Sequence, residues 1–208
     1  MAVDYDAGVQ FQNSETSATQ KLCNSATKFT MAVLARIKNF FASPIFDEPE
    51  EVVVPAAPTT YSIHPLTIDH LKEVLRLNVR CFRKGDNYTK HTFDYLLKEP
   101  RTISYRIVAA GGELVAFAFV MINENGSAHL TTIGVAPEHR RRGLAQKMLT
   151  HLENAIRARE IGTVVLEVRV GNTGAQELYR RNGYMIVQRI NKYYNNGEAC
   201  FLMMKGLI

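Results

Sequence analysis

The chain of 208 residues has no tryptophan, only three cysteines, and no apolar run near membrane-spanning length. A bilayer-spanning helix needs about 20 consecutive apolar residues, so none is expected. Cys23, Cys81 and Cys200 are far apart, odd in number and without C-x-x-C spacing. That excludes a disulfide framework and a cysteine-ligated zinc site, and it points to a reducing, cytoplasmic compartment with no metal centre. The two common nucleotide signatures, G-x-x-x-x-G-K-[ST] and G-x-G-x-x-G, are also missing. A secretory signal is not expected either, because the start is acidic and the first apolar stretch is broken by Arg36 and Lys38.

Hydrophobic residues make up 46% of the chain, enough to build a core. Charge is unevenly spread: seven acids against four bases leave residues 1–60 at −3, so the remainder carries +8. A basic domain of this kind favours anionic partners such as phosphates and nucleotides. The first 26 residues are polar and read as disordered. Residues 27–41 have apolar positions at helical spacing, which suits a helix docked on the domain or one lying on a membrane surface or partner. Residues 43–60, rich in Pro, Glu and Ala, read as a linker.

From Tyr61 onward the pattern is that of one mixed α/β domain, residues 61–208. A short strand at 60–63 precedes a helix from Thr67, with Leu71, Val74, Leu75 and Val79 on its apolar face, and a second helix at 90–99 that stops at Pro100. Strands at 103–110 and 113–122 flank Gly111-Gly112, and a third strand follows at 127–137. A long amphipathic helix at 143–160, capped by Gly162, leads to a strand at 163–170, a helix at 172–182 and two closing strands.

Two stretches carry candidate chemistry. In "HRRRGLAQKML", residues 139–149, three arginines precede a glycine and a helix start. The open amides of a helix N-terminus, with Gly143 and the small Ala145 allowing close approach, suit a pyrophosphate. A nucleic-acid contact is the other use of such charge, but no aromatic or RNA-binding context accompanies it, so no direct nucleic-acid partner is expected. On residues 163–170, alternation places Val165, Glu167 and Arg169 on one face. A carboxylate in a central strand needs a partner or a task. Arg169 is a candidate partner; catalysis is a candidate task. Tyr179, on the next helix, is either a core residue or a proton donor.

Arg140-x-x-Gly143-x-Ala145, between a strand and a helix, resembles the [Q/R]-x-x-G-x-[G/A] acetyl-CoA motif of the GNAT N-acetyltransferases. Residues 62–206, above all "LEVRVGNTGAQELYRRNGY" and "KYYNNGEACFLMM", are similar to the RimI-like branch of that family, which acetylates protein N-termini. The resemblance implies a GNAT acyl-CoA N-acyltransferase fold, with a mixed central sheet flanked by helices and splayed between the strands at 127–135 and 163–170. It implies a pantetheine arm paired with the backbone near Ile133 and Val135, like an added strand. It implies a pyrophosphate held by Arg140 and the amides of Arg141, Arg142, Gly143, Leu144 and Ala145, with Asn172 helping to hold the cofactor. Glu167 becomes the general base and Tyr179 the general acid, and Tyr193 and Tyr194 lie on a loop over the acceptor. The implied activity is direct acetyl transfer from acetyl-CoA, with no metal, to the N-terminal α-amine of a protein, a ribosomal protein beginning with alanine among the candidates. A GNAT enzyme acting on a small amine or a lysine side chain is the alternative; a non-catalytic acyl-CoA-binding module is a third. The chain departs from the branch in the loop "RCFRKGDNYTKHTF", which lacks the Pro and Trp common there.

Overall fold

In the computed structural model, residues 53–82 and 87–207 are described. The helix predicted at 27–41 and most of the predicted linker lie outside the described residues. Among those described, seven strands form one sheet: β1 (Tyr61–Pro65), β2 (Thr102–Ala109), β3 (Leu114–Ile122), β4 (Ala128–Val135), β5 (Thr163–Arg169), β6 (Met185–Ile190) and β7 (Cys200–Gly206). Four helices flank them: α1 (Leu71–Cys81), α2 (Lys90–Lys98), α3 (Leu144–Arg157) and α4 (Thr173–Arg181). The order across the sheet is β1-β2-β3-β4-β5-β7-β6, and every pairing is antiparallel except β4 with β5. This is the mixed, helix-flanked α/β sheet that the sequence pattern and the GNAT resemblance imply.

The centre of the sheet is apolar because β3 is apolar throughout: Leu114 to Met121 are all buried, with Phe117 and Phe119 fully so. A strand buried on both faces reads as a continuous hydrophobic run rather than an alternation. Phe93 of α2 packs between those two rings, and Met148, Leu149, Leu152 and Ile156 of α3 belong to the same core.

Three local expectations are corrected. Thr67 does not open α1; it precedes a single 3₁₀ turn, Ile68–His70, and the α-helix starts at Leu71. The buried face of α1 is Val74, Leu77 and Asn78, while Val79 is 47% exposed because it falls well off the arc those positions define. Gly162 is not the cap of α3: Glu160 takes the left-handed conformation at φ 60°, and the Ile161 amide donates back to the Ile156 carbonyl. That is a Schellman closure with glutamate at the position usually given to glycine.

Candidate active site

The sheet opens between β4 and β5. Only two register pairs join them, Ala128 with Val164 and His129 with Val165, and beyond these the strands part. The cause is local. Phe119 faces Thr132 but Val120 faces Leu130, so Thr131 is an extra, unpaired residue on β4. A bulge bends its strand and sharpens the twist. Tyr88 lies against it, its hydroxyl donating to the Thr131 carbonyl at 3.1 Å.

Antiparallel alternation then decides which β4 groups face the gap. The Ala136 amide donates to the Val115 carbonyl at 2.8 Å. Gly134 and Thr132 therefore also face β3, and the amides of Ile133 and Val135 face the opening. The Val135 carbonyl is held by Arg140 Nε at 3.2 Å and Cys81 Sγ at 3.3 Å. Gly134 is demanded by close approach: a Cβ there would lie 2.8 Å from the Phe117 ring and 3.2 Å from Cys81 Sγ.

At the mouth of the gap, the chain turns through Arg141 (φ 61°) and Gly143 (φ 73°) into α3. The amides of Arg141 to Ala145 have no backbone acceptor among the described residues. Successive free amides in such a turn form an anion-binding concavity, reinforced by the helix N-terminus. The space over Gly143 is open, since a Cβ would meet nothing within 4 Å. The three arginines divide their work. Arg140 braces β4 and α1 through the Val135 and Cys81 carbonyls. Arg142 turns to the segment before β1, bonding the carbonyls of Ala56 and Ala57 and the Tyr61 hydroxyl. Arg141 makes no hydrogen bond or ion pair to any described side chain and is exposed.

Glu167 lies on β5 on the same face as Val165, the register partner of His129. Its partner is not Arg169 but His129: Nε2 and Oε2 are 2.7 Å apart, with side-chain exposures of 2% and 7%. The other oxygen, Oε1, is buried without a hydrogen-bond partner. Burial lowers the pKa of His129, but the charge of Glu167 and its hydrogen bond outweigh that and leave it above the usual imidazole value. Arg169 instead pairs with Glu198 and lies 3.6 Å over the Tyr194 ring. Glu198 also accepts from the Gly171 amide at 3.0 Å, fastening the β6–β7 loop to the end of β5.

Tyr193 and Tyr194 stand edge to face on that loop, 5.0 Å between centroids. Burial and then the charge of Glu167 push the Tyr193 phenol far up. Tyr179 is also buried, packed against Tyr184, and its phenol is raised by burial alone, with no charged group contributing. It stays protonated. Asn172 caps α4, its Oδ1 accepting from the Ala175 amide at 3.1 Å, so that oxygen is committed within the fold. His129, Gly134 and Glu198 escaped the sequence reading.

The chain matches the model of the acetyltransferase (GNAT) family over residues 71–184, more than half its length, and belongs to that family; it is an N-acetyltransferase. The catalytic subunit of the N-terminal acetyltransferase A complex of Arabidopsis thaliana is 30% identical over 151 residues, covering 70% of this chain and 77% of that one. A putative ribosomal-protein-alanine N-acetyltransferase of Bacillus subtilis is 25% identical over 146 residues, 70% of this chain and 95% of the relative. Among solved structures, the ribosomal-protein-alanine N-acetyltransferase of Escherichia coli superposes with a TM-score of 0.65 at 25% identity, covering 71% of this chain and 94% of that one. A spermidine N-acetyltransferase of Vibrio cholerae shares the fold, with a TM-score of 0.60 at 17% identity. No helix among the described residues is long and apolar enough to cross a membrane.

Proposed function

We propose that this protein transfers an acetyl group from acetyl-CoA to the N-terminal α-amine of a protein. The observation that carries the reading is the buried, unpartnered Oε1 of Glu167 at the point where β4 and β5 part. One open carboxylate oxygen suits one ammonium. Glu198 is engaged by Arg169 and Glu138 by Arg80. A domain carrying +8 from residue 61 onward also repels a polyamine. The relatives whose names specify protein N-termini support the same acceptor class, and a ribosomal protein beginning with alanine is one candidate within it.

The amides of Ile133 and Val135 would take the pantetheine arm as an added strand, and those of Arg141 to Ala145 the pyrophosphate. Glu167 Oε1 takes a proton from the α-ammonium, directly or through one water, leaving the nitrogen lone pair to attack the thioester carbonyl carbon. The Val135 amide is placed to donate to the resulting oxyanion. As the C–S bond breaks, Tyr179 protonates the sulfur and is refilled by the second proton leaving the nitrogen. Glu167 returns the first proton to solvent. Tyr193 and Tyr194 would cover the acceptor's first residues. An acyl-cysteine route is disfavoured at Cys81, whose thiol is pushed up to about 11 by burial and so stays protonated at neutral pH.

The test is CoA release with a panel of peptides varied in their first residues, each with a free or blocked α-amine, alongside polyamines. Release only with free-amine peptides supports the reading. Release only with polyamines or a lysine side chain moves the assignment to that amine, and acetyl-CoA binding without release on any acceptor identifies a binding module.

A further inference from the structure

Glu167 does not stand alone, and its partner has no role in the reading above. His129 is buried, at 2% exposure, yet it lies on β4 at the last position where that strand still pairs with β5. We infer that His129 is a positioning residue for the base: it holds Glu167 by Oε2, leaves Oε1 as the atom that accepts the amine proton, and ties the carboxylate's basicity to the protonation of the imidazole. The inference rests on the assignment of Glu167 as base.

The geometry supports each part. A carboxylate bonded through one oxygen at 2.7 Å between two strands cannot swing away, and the bond spends only Oε2. Among the described residues no other cation pairs with it. Arg169, on the same face of β5, is held by Glu198 and stacked on Tyr194. From the β6–β7 loop, the buried Tyr193 is the group on which the charge of Glu167 also acts. Glu167 is the charge that acts on His129.

The pair therefore has two working states. With the imidazole protonated, Glu167 sits in an ion pair and is a poor proton acceptor. With the imidazole neutral, Nε2–H still donates to Oε2, but the carboxylate regains its affinity for a proton. Because Glu167 holds the imidazole protonated to higher pH than usual, turnover rises with pH as that proton leaves. An N-terminal α-amine titrates at about 7.7–8.0, so both partners change state over a shared range.

The experiment compares kcat–pH profiles of the full chain, with saturating acetyl-CoA and peptide, for the wild type, H129Q, H129A and E167Q. Glutamine donates the same hydrogen bond but does not ionise. H129Q is expected to move the acid limb of kcat down by about one pH unit. It should also recover most of the turnover that H129A loses, which is about tenfold, a part of the roughly 10²–10⁴ that a positioned base contributes. Acetyl-CoA affinity, measured by calorimetry, reports that each variant is folded. If H129A fails that control, the H129Q profile decides alone. A limb superimposable on the wild type in H129Q would overturn the inference even with E167Q inactive. Wild-type turnover in E167Q would instead remove the base assignment beneath it.

Discussion

On the β4 side of the opening, the groups that face the gap are backbone: the amides of Ile133 and Val135, then those of the Arg141–Ala145 turn. On the β5 side it is the side chain of Glu167, whose charge reaches Tyr193 on the loop beyond; Tyr179, on the following helix, is packed in the core against Tyr184. The β4 wall is bent by a bulge, and its Val135 carbonyl, on the gap side, is held by Arg140 and Cys81. The β5 wall is a regular strand paired along its whole length with β7, from Thr163–Gly206 to Arg169–Cys200. An irregular strand presents amides that have no sheet partner, and a regular one presents a carboxylate at a fixed position. The division matches the two halves of the proposed reaction, in which one wall grips a long ligand common to every turnover and the other moves protons.

Substitutions on the two walls should therefore fail in different ways. Tyr179→Phe removes the proposed acid without changing packing volume appreciably; kcat should fall about 100-fold with acetyl-CoA affinity unchanged, by single-turnover kinetics and calorimetry. Equal turnover would take Tyr179 out of the chemistry and leave it as core. Gly143→Glu acts on the other wall. Since a Cβ there meets nothing, the cost arises from φ 73° and from a carboxylate set beside the phosphate amides. Acetyl-CoA affinity should weaken by about 30-fold, or about 2 kcal/mol, and an unchanged Kd would refute the cradle.

Gly134→Ala tests the close packing of β4 against Phe117 and Cys81. A methyl 2.8 Å from Phe117 must displace that ring or the strand, lowering stability by about 1.5 kcal/mol in denaturant unfolding. A neutral result would show that the strand shifts freely. Asn172→Ala should cost about 1 kcal/mol as the loss of a helix cap. If it weakens acetyl-CoA binding at unchanged stability, Asn172 belongs to the ligand rather than to α4.

The same contrast explains what could be read from the sequence. The turn at 140–145 was legible because its glycine, its open amides and the helix start are consecutive residues, where spacing and structure coincide. Most elements were legible from periodicity, and Glu167 stood out as a carboxylate in an apolar strand. Its partner did not. His129 lies 38 positions away, and joining the two requires the parallel register of β4 on β5, which no local pattern encodes. Arg169 was the nearer cation on the same face, but Glu198 and Tyr194 occupy it from a loop whose fold the sequence does not disclose. Gly134 gave no signal because its constraint comes from Phe117 and Cys81. Gly162 misled in the opposite sense, as a glycine near a helix end whose work is done by Glu160.

The opening between β4 and β5 has one more consequence. Strands with unsatisfied amides at the outer rim of a sheet invite pairing with other chains, and proteins ordinarily shorten, charge or cover such rims. Here the exposed edges lie inside the molecule, facing each other across a gap that closes at His129 and Val165. The hazard of an unpaired edge is thereby kept away from the outer rim of the sheet, where it would invite other chains.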